Sequence, residues 1–169
     1  MSAEVYLGGR RCALDVRTLL GEGGEAEVYG LPDGRALKVF KPPGHPDFVG
    51  RSADAEAARA RLQEHQHKLR VFPLGLPERV VTPAELATDR SGRTVVGYAM
   101  RRVAPARPLA DYWDPARRHG DLDAAAVVAV FEDLQRTLLS LHARGVVVGD
   151  LNAQNLLIQP GAAYLIDAD

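Results

Sequence analysis

The chain has 169 residues, of which 46% are hydrophobic and 25% are charged, a composition typical of one globular domain with a sizeable core. A formal net charge of -1 indicates no overall basic surface, so we expect no direct binding of nucleic acid. The single cysteine, Cys12, excludes an internal disulfide and any metal site built on paired cysteines. No apolar run is long enough to cross a bilayer, and the N-terminus M-S-A-E-V-Y lacks the features of a signal peptide. We therefore predict a cytoplasmic protein with no membrane partner.

The front of the chain is predicted to consist mainly of β-strands, because short aliphatic runs alternate with turn signals such as Gly8-Gly9 and Pro32-Asp33-Gly34. One helix, rich in Ala, Arg and Gln, is predicted over residues 52–70, with Ser52 as its N-cap. The predicted strands cover residues 4–7, 11–15, 17–20, 26–30, 35–40, 80–85 and 94–103.

The back of the chain is predicted to begin with a helix that follows the Pro-rich link A-P-A-R-P-L. This helix covers residues 121–143, because apolar side chains recur on one face: Val127, Val130, Phe131, Leu134, Leu138 and Leu141. Three short strands are predicted after it, over residues 146–148, 156–159 and 163–166. The polar segment G-D-L-N-A-Q-N separates the first two of these strands.

A glycine-rich segment, G-E-G-G-E-A-E-V, lies between two predicted strands at residues 21–28. Glycine lets a backbone approach phosphate oxygens and present N–H groups to them, although such hairpins also occur without a ligand. Lys38 lies in the otherwise apolar strand A-L-K-V-F. Because burial of an unpaired ammonium is costly, we expect Lys38 to contact anions. The alternative is an edge lysine whose stem lies along the sheet.

Two glutamates of the first predicted helix are candidates for the carboxylate that pairs with Lys38. Glu56 and Glu64 lie about 80° apart around an ideal helix, so we do not expect them to share one role. Glu64 is favoured, because the residues that follow it leave room for a helix end and a loop before the next strand. Glu56 stays open, because its separation from Lys38 along the chain is also reasonable.

The polar segment contains Asp150 and Asn155 in the pattern D-x-x-x-x-N, and Asp167 follows at the end of Y-L-I-D. An aspartate can accept a hydroxyl proton, while an amide oxygen and a second carboxylate are hard ligands that suit Mg²⁺. A glycine-rich hairpin, a strand lysine, a helix glutamate, D-x-x-x-x-N and a strand-terminal aspartate occur in the order found in protein kinases.

The chain resembles the N-terminal lobe and the catalytic loop of a protein-kinase-like domain over nearly all of its length. The segments V-G-Y-A-M-R-R-V, L-H-A-R-G-V-V-V-G-D-L-N-A-Q-N-L-L-I and Y-L-I-D-A-D are similar to bacterial kinases that carry a downstream helix-hairpin-helix DNA-binding segment, which the 169 residues do not contain. The resemblance implies an α+β fold. Residues 1–103 would form a kinase-like N-lobe, with an antiparallel sheet, one helix and the hinge. Residues 104–169 would begin the C-lobe, with its helix, catalytic loop and short strands.

The resemblance also implies roles for individual residues. Asp150 would be the catalytic base, and Asn155 and Asp167 would hold Mg²⁺. Met100 would lie behind the adenine of ATP, and residues 101–103 would form the hinge that bonds to it. The implied nucleotide-binding residues are Gly21, Gly23, Gly24, Val28, Lys38, Met100, Arg101 and Val103.

The chain departs from the kinase pattern at four places. Ala26 replaces the last glycine of the phosphate loop, and Val148-Gly149 replaces the His-Arg before the catalytic aspartate. Asn152 stands where a lysine is common, and D-A-D replaces Asp-Phe-Gly at residues 167–169. We therefore expect no control by activation-loop phosphorylation, and we expect phosphate transfer to be weakened more than nucleotide binding.

The resemblance implies a serine/threonine-type protein kinase domain, or a fragment of one, that transfers the γ-phosphate of Mg-ATP to a protein hydroxyl. Two alternatives stay open: a small-molecule phosphotransferase of the aminoglycoside- or choline-kinase type, and a catalytically weak nucleotide-sensing module. Because the sequence ends at Asp169, we expect a truncated C-lobe with little turnover. We also expect self-association or a partner chain to cover the apolar face of the second helix.

Overall fold

The computed structural model describes residues 4–113 and 123–167. Within these ranges the chain forms two compact units. The first contains residues 4–72 and 83–102, and the second contains residues 73–82 and the described part of 103–167. The predicted helix start at residues 121–122 and the end of the D-A-D motif, residues 168–169, lie outside the described residues. In the described ranges, no helix is long and apolar enough to span a bilayer.

The first unit is built on a seven-stranded sheet in which every neighbouring pair is antiparallel. The order of strands across the sheet is β2-β1-β6-β7-β5-β4-β3. Their bounds are β1 (Val5–Leu7), β2 (Arg10–Cys12), β3 (Leu19–Glu22), β4 (Ala26–Gly30), β5 (Ala36–Phe40), β6 (Pro83–Thr88) and β7 (Val95–Met100). Gly34, with φ of +84°, makes the turn between β4 and β5 that P-D-G predicts.

The sheet of the first unit buries side chains on both faces, as expected for strands as apolar as β5 and β7. One face carries a core of Val5, Leu7, Leu37, Val39, Ala87 and Ala99. On the other face, Phe40 stacks on His65 of helix α1 (Ser52–Lys68), with ring centroids 4.3 Å apart. The side-chain amide of Gln66 also exchanges two hydrogen bonds with the backbone of Val95, at 2.8 and 2.7 Å. These contacts fix α1 against the sheet.

The start of α1 differs from the prediction. Ser52 is the first residue of the helix rather than its N-cap, and Arg51 takes the N-cap position without a side-chain hydrogen bond. The backbone N–H of Arg51 donates to Phe48 at 2.9 Å, so the helix follows directly from the 3-10 turn Pro46–Phe48. At its other end α1 continues into a 3-10 turn, Leu69–Val71.

Two predicted strands of the first unit are also displaced. The strand predicted over residues 17–20 begins with a 3-10 turn, Val16–Thr18, because the carboxylate of Asp15 accepts the backbone N–H of Arg17 at 2.9 Å and caps that turn. The strand predicted over residues 80–85 lies at β6 instead. Val80 belongs to the second unit, where it forms a parallel bridge with Leu165.

The second unit combines two helices with a three-stranded antiparallel sheet of order β10-β9-β8. In chain order its elements are β8 (Arg107–Pro108), α2 (Ala110–Trp113), α3 (Ala124–His142), β9 (Leu156–Gln159) and β10 (Ala162–Leu165). Asp123 caps α3 by accepting the backbone N–H of Ala126 at 2.7 Å. The core of the unit consists of Val80, Val130, Leu134, Leu141, Leu156, Ile158, Ala163 and Leu165.

Two features of the second unit correct the sequence prediction. The Pro-rich link contains β8, and α2 follows directly after the link; no regular element was predicted at either place. Residues 146–148 form no strand. Their first backbone N–H, that of Val146, instead donates to Leu141 at 3.1 Å and closes the end of α3, with Gly145 at φ of +72°.

Candidate active site

The glycine-rich turn between β3 and β4 belongs to the first unit. The backbone N–H of Gly23 donates to Ala26 at 2.9 Å, which closes the turn. A Cβ atom at Gly21 or Gly24 would meet nothing within 4 Å, and one at Gly23 would meet only the Ala26 oxygen at 3.9 Å. None of the three has a positive φ. The fold itself therefore does not require glycine here, and the open space is what a ligand needs to approach the backbone.

Lys38 lies on β5 opposite Val28 of β4 and Tyr98 of β7. Its ammonium nitrogen lies 5.6 Å from the ring centroids of both Phe40 and Tyr98, within the range of cation–π interactions. These two rings direct the half-buried side chain along the face of the sheet that α1 covers. This placement rules out an exposed edge lysine, because β5 has a neighbouring strand on each side.

The structure places both candidate glutamates on the solvent side of α1. The buried residues of the helix are Ala58 and His65. At about 100° per residue, Glu56 lies about 180° from His65 around the helix axis, and Glu64 lies about 100° from it. Both glutamates are exposed, and Glu64 lies 4.0 Å from the ammonium of Lys68. The pairing of either glutamate with Lys38 stays a prediction.

Two residues that shape this part of the first unit were not predicted from the sequence. A Cβ atom at Gly97 of β7 would lie 2.1 Å from the carbonyl oxygen of Lys38, so only glycine lets β7 approach β5 there. A glycine inside a strand was the available signal. The second is Lys41, directly after β5, whose side chain is only 2% exposed. Its segment, K-P-P-G-H-P, predicts irregular structure and gives no sign of burial.

The buried Lys41 ammonium is bonded to two carboxylates. It donates to Glu22 at 2.7 Å and also to Asp47. Burial by itself would lower the pKa of Lys41, but the hydrogen bonds to Asp47 and Glu22 outweigh it and raise the pKa above its usual value. The same contact lowers the pKa of Asp47. The Lys41 and Asp47 side chains are therefore charged at neutral pH.

The polar segment forms a hydrogen-bonded loop in the second unit. The side-chain amide of Asn155 donates to the backbone oxygen of Asp150 at 3.1 Å and to its carboxylate at 3.2 Å. The side-chain oxygen of Asn152 accepts the backbone N–H groups of Gln154 and Asn155, at 2.8 and 3.1 Å. The loop thus orients the exposed Asp150 carboxylate through Asn155, and Asn152 braces the turn between them.

Asp167 follows β10 and lies near the same loop. The backbone N–H of Ile166 donates to the carbonyl oxygen of Asn155 at 3.0 Å, which ties the end of β10 to the loop. Asp167 has a φ of +60°, a left-handed conformation that Asp adopts more readily than most residues and that often occurs at functional sites. Of the predicted catalytic and metal-binding set, Asp150, Asn155 and Asp167 are therefore brought together in one unit.

The donor set at this loop fits Mg²⁺. The amide nitrogen of Asn155 is used on Asp150, and its carbonyl oxygen and the Asp167 carboxylate are hard oxygen ligands. Within residues 4–113 and 123–167, no group of three or more His, Cys, Asp or Glu side chains is arranged to bind a metal. Two protein ligands suit a Mg²⁺ ion whose other ligands are phosphate oxygens and water, rather than an all-protein cage.

The predicted hinge residues follow β7. Met100 is buried at the end of that strand, opposite Ala36 and Pro83. Arg101 is exposed and belongs to the first unit, whereas Val103 is half-buried and belongs to the second. Their contact with an adenine base stays a prediction.

Comparison with known proteins identifies the fold and its relatives. No protein-family profile matches the chain. The chain is 28% identical over 155 residues to the serine/threonine-protein kinase PknD of two Mycobacterium tuberculosis strains, and this match covers 88% of the chain but only 21% of PknD. The crystal structure of a double mutant of the Mycobacterium tuberculosis PknI kinase domain matches with a TM-score of 0.57 at 21% identity, over 99% of this chain and 61% of that one. The chain has a protein-kinase-like fold.

The kinase-like domain has the fold class that the sequence predicts. The antiparallel sheet with α1 corresponds to the predicted N-lobe elements, and α3, the hydrogen-bonded loop, β9 and β10 correspond to the predicted C-lobe elements. The domain spans about a fifth of the length of the curated relatives that it matches, since the match covers 21% of PknD. The resemblance to kinases with a downstream helix-hairpin-helix segment stays a prediction.

Proposed function

We propose that this chain is a serine/threonine-type protein kinase domain, or a fragment of one, that transfers the γ-phosphate of Mg-ATP to a protein hydroxyl. The proposal rests mainly on one arrangement of hydrogen bonds. The side-chain amide of Asn155 donates to the backbone oxygen and to the carboxylate of Asp150, and the backbone N–H of Ile166, directly before Asp167, donates to the carbonyl oxygen of Asn155. The identity of 28% with PknD supports the same reaction class. A cytoplasmic location stays a prediction.

The first unit supplies the proposed ATP contacts except that of Val103, which belongs to the second unit. The backbone of the glycine-rich turn, at Gly21, Gly23 and Gly24, would donate N–H groups to the phosphates, and Lys38 would add a positive charge. The side chain of Val28 lies opposite Lys38 across the β4–β5 pair and would pack on the nucleotide. Met100, Arg101 and Val103 would contact the adenine base. A helix glutamate, Glu64 or Glu56, would hold Lys38 in place.

The second unit supplies the proposed chemistry. Asp150 would accept the proton of the acceptor hydroxyl. The hydroxyl oxygen would form a bond to the γ-phosphorus while the bond between the γ-phosphorus and the bridging oxygen of ADP breaks. Asn155 orients the Asp150 carboxylate for this step. Asn155 and Asp167 would hold the metal. Mg²⁺, when bound, neutralises charge on the phosphates.

A second candidate is a nucleotide-binding module with weak transfer. Asn152 stands where the resemblance leads us to expect a lysine, and its side-chain oxygen is engaged by two backbone N–H groups of the loop. It therefore acts as a structural brace and adds no positive charge for the phosphoryl group. This observation favours retention of ATP binding over fast transfer.

The test compares two alanine variants in ATP binding and in phosphate transfer to protein and small-alcohol acceptors. Lys38→Ala should weaken ATP binding, because it removes a charge that contacts the phosphates. Asp150→Ala should leave ATP affinity near that of the wild type and lower transfer by about 10²–10⁴, the usual contribution of a general base. Lys68→Ala, at an exposed lysine of α1, is the matched control and should change neither. Loss of ATP binding in Asp150→Ala, with unchanged binding in Lys38→Ala, would contradict the assignment.

A further inference from the structure

The glycine-rich turn carries two acidic residues, Glu22 and Glu25, in a segment proposed to meet a triphosphate. Carboxylates near phosphate groups would weaken binding by charge repulsion. Both are bonded to cations of the first unit. Glu22 accepts a hydrogen bond from the Lys41 ammonium at 2.7 Å, and Glu25 lies 3.4 Å from the guanidinium of Arg61 on α1.

Lys41 holds the turn at both ends. Its side chain bonds to Glu22, before the two central glycines, and its backbone N–H donates to the carbonyl oxygen of Glu25, after them, at 2.9 Å. Its ammonium also bonds to Asp47, in the 3-10 turn Pro46–Phe48. We call Lys41, Glu22 and Asp47 the Lys41 cluster. The cluster therefore connects the glycine-rich turn to the segment that precedes α1.

The burial of Lys41 makes its removal more costly than the loss of an ordinary surface ion pair. The Lys41 side chain is 2% exposed, whereas the side chains of Glu22 and Asp47 are 47% and 46% exposed. Exposed pairs contribute little, but removal of a buried partner leaves charges uncompensated. If Lys41 is neutralised, Glu22 and Asp47 become two unbalanced negative charges. Both line the same open groove, of about 590 Å³, as Gly23 and Gly24.

We propose that Lys41 is a positioning residue for the phosphate-binding turn. It fixes the turn between β3 and β4, and it neutralises a carboxylate that would otherwise repel the triphosphate. It is not a catalytic residue, because its buried ammonium is already bonded to two carboxylates. This inference rests on the proposed function, since it assumes that the turn contacts the phosphates of ATP.

The test measures the affinity of the 169-residue chain for ATP and for adenosine, which lacks phosphates. Lys41→Met should weaken ATP binding by about tenfold and leave adenosine affinity within about twofold, because only the phosphates feel the uncompensated charge. The double variant with Glu22→Gln should recover part of the ATP affinity, since one of the two uncompensated carboxylates is gone and that of Asp47 remains. A purely structural role for Lys41 would not produce this rescue. Lys68→Met is the matched control.

The outcomes separate this inference from the proposed function. A wild-type chain that binds no ATP would contradict the proposed function before any variant is compared. Equal weakening of ATP and adenosine binding by Lys41→Met, or no recovery with Glu22→Gln, would overturn the positioning role alone. If circular dichroism shows that Lys41→Met is unfolded, the same titrations are made with Lys41→Gln. Glutamine keeps N–H donors beside the carboxylates but carries no charge, so the same loss and rescue of ATP affinity are expected.

Discussion

The glycines of the first unit differ in what the fold requires of them. Gly8, Gly9 and Gly34 have positive φ, which only glycine adopts without cost. Gly23 and Gly24 do not have a positive φ. A Cβ atom added at Gly23 would lie 3.9 Å from its nearest neighbour, the Ala26 oxygen, and one added at Gly24 would have no neighbour within 4 Å. The fold therefore does not require glycine at these two positions, and their role in letting a ligand approach the backbone stays a prediction.

This difference leads to a prediction at the scale of single residues. The double variant Gly23→Ala/Gly24→Ala should be as stable as the wild type or gain about 0.4–1 kcal/mol for each substitution, because alanine restricts the unfolded chain. ATP affinity should nevertheless fall, since the methyl groups occupy the approach to the turn. Thermal unfolding and ATP titration measure the two effects.

The control for that prediction is Gly34→Ala, in the turn between β4 and β5. With φ of +84° at this position, the variant should lose stability and keep its ATP affinity. Unchanged ATP affinity in the Gly23→Ala/Gly24→Ala protein would show that the turn does not contact the phosphates.

At the residue scale, the spacing of the motifs predicts which residues lie near the polar loop, but it does not predict burial. Asp150 and Asn155 are apparent from spacing and bond to each other in one loop, and the backbone N–H of Ile166, next to Asp167, bonds to that loop. Their catalytic and metal-binding roles stay predictions. Lys41 is not apparent, because its burial depends on Asp47, which folds back onto it from an irregular segment. No periodicity in K-P-P-G-H-P-D signals that contact.

At the scale of elements, the pairing of β5 with β7 depends on Gly97. Val39 lies opposite Gly97, and the Lys38 carbonyl oxygen would be 2.1 Å from an added Cβ. A contact this short with backbone cannot be relieved by a side-chain rotation, so one of the two strands would have to move.

Gly97→Ala should therefore destabilise the first unit by about 1–3 kcal/mol, the usual cost of overpacking, measured by urea unfolding. Gly44→Ala is the matched control, because a Cβ atom added at Gly44 would meet no atom within 4 Å and because Gly44 does not have a positive φ. Equal stability of Gly97→Ala and Gly44→Ala would show that the sheet accommodates the methyl group and that the close approach is not required.

The elements themselves were predictable to different degrees. The apolar periodicity of α3 and the turn at Gly34 gave elements close to the observed bounds. The same periodicity could not predict Asp133, a buried carboxylate on the core face of α3. Its environment comes from distant segments, since it accepts hydrogen bonds from Arg79 at 2.9 Å and from the backbone N–H of Ala163 at 3.1 Å. The strand predicted over residues 146–148 failed because the end of α3 uses the Val146 N–H.

At the scale of the whole molecule, the order of the motifs along the chain was sufficient to predict the kinase-like fold. The order is recognisable even though individual motifs differ from the kinase pattern. The placement of residues 73–82 in the second unit was not predictable, since it depends on pairing between Val80 and Leu165, which are distant in sequence. The expected exposure of the predicted apolar face of α3 is wrong for Val130, Leu134 and Leu141, which are buried in the core of the second unit. A different apolar surface of α3 is exposed, where Val128, Phe131 and Leu139 are 57%, 50% and 61% exposed.

We predict that the chain associates through this surface of α3, because contiguous apolar surface is rarely left in water. Light scattering over a range of protein concentrations should show a mass that rises with concentration. Phe131→Glu combined with Leu139→Glu should shift the protein towards the monomer, and the exposed Gln135→Glu is the control with one added charge. A concentration-independent monomer for the wild-type chain would contradict the prediction.

The central claim is that this kinase-like chain binds Mg-ATP through Asn155 of the loop and Asp167 after β10. It is tested most directly by calorimetric titration of the chain with ATP, with and without Mg²⁺. The wild type should bind ATP more tightly when Mg²⁺ is present, and Asn155→Ala/Asp167→Ala should bind ATP equally under both conditions. Little Mg²⁺ should bind without nucleotide, because two protein ligands do not form a complete site. Absence of ATP binding by the wild type, or a Mg²⁺ dependence that survives the double substitution, would contradict the account.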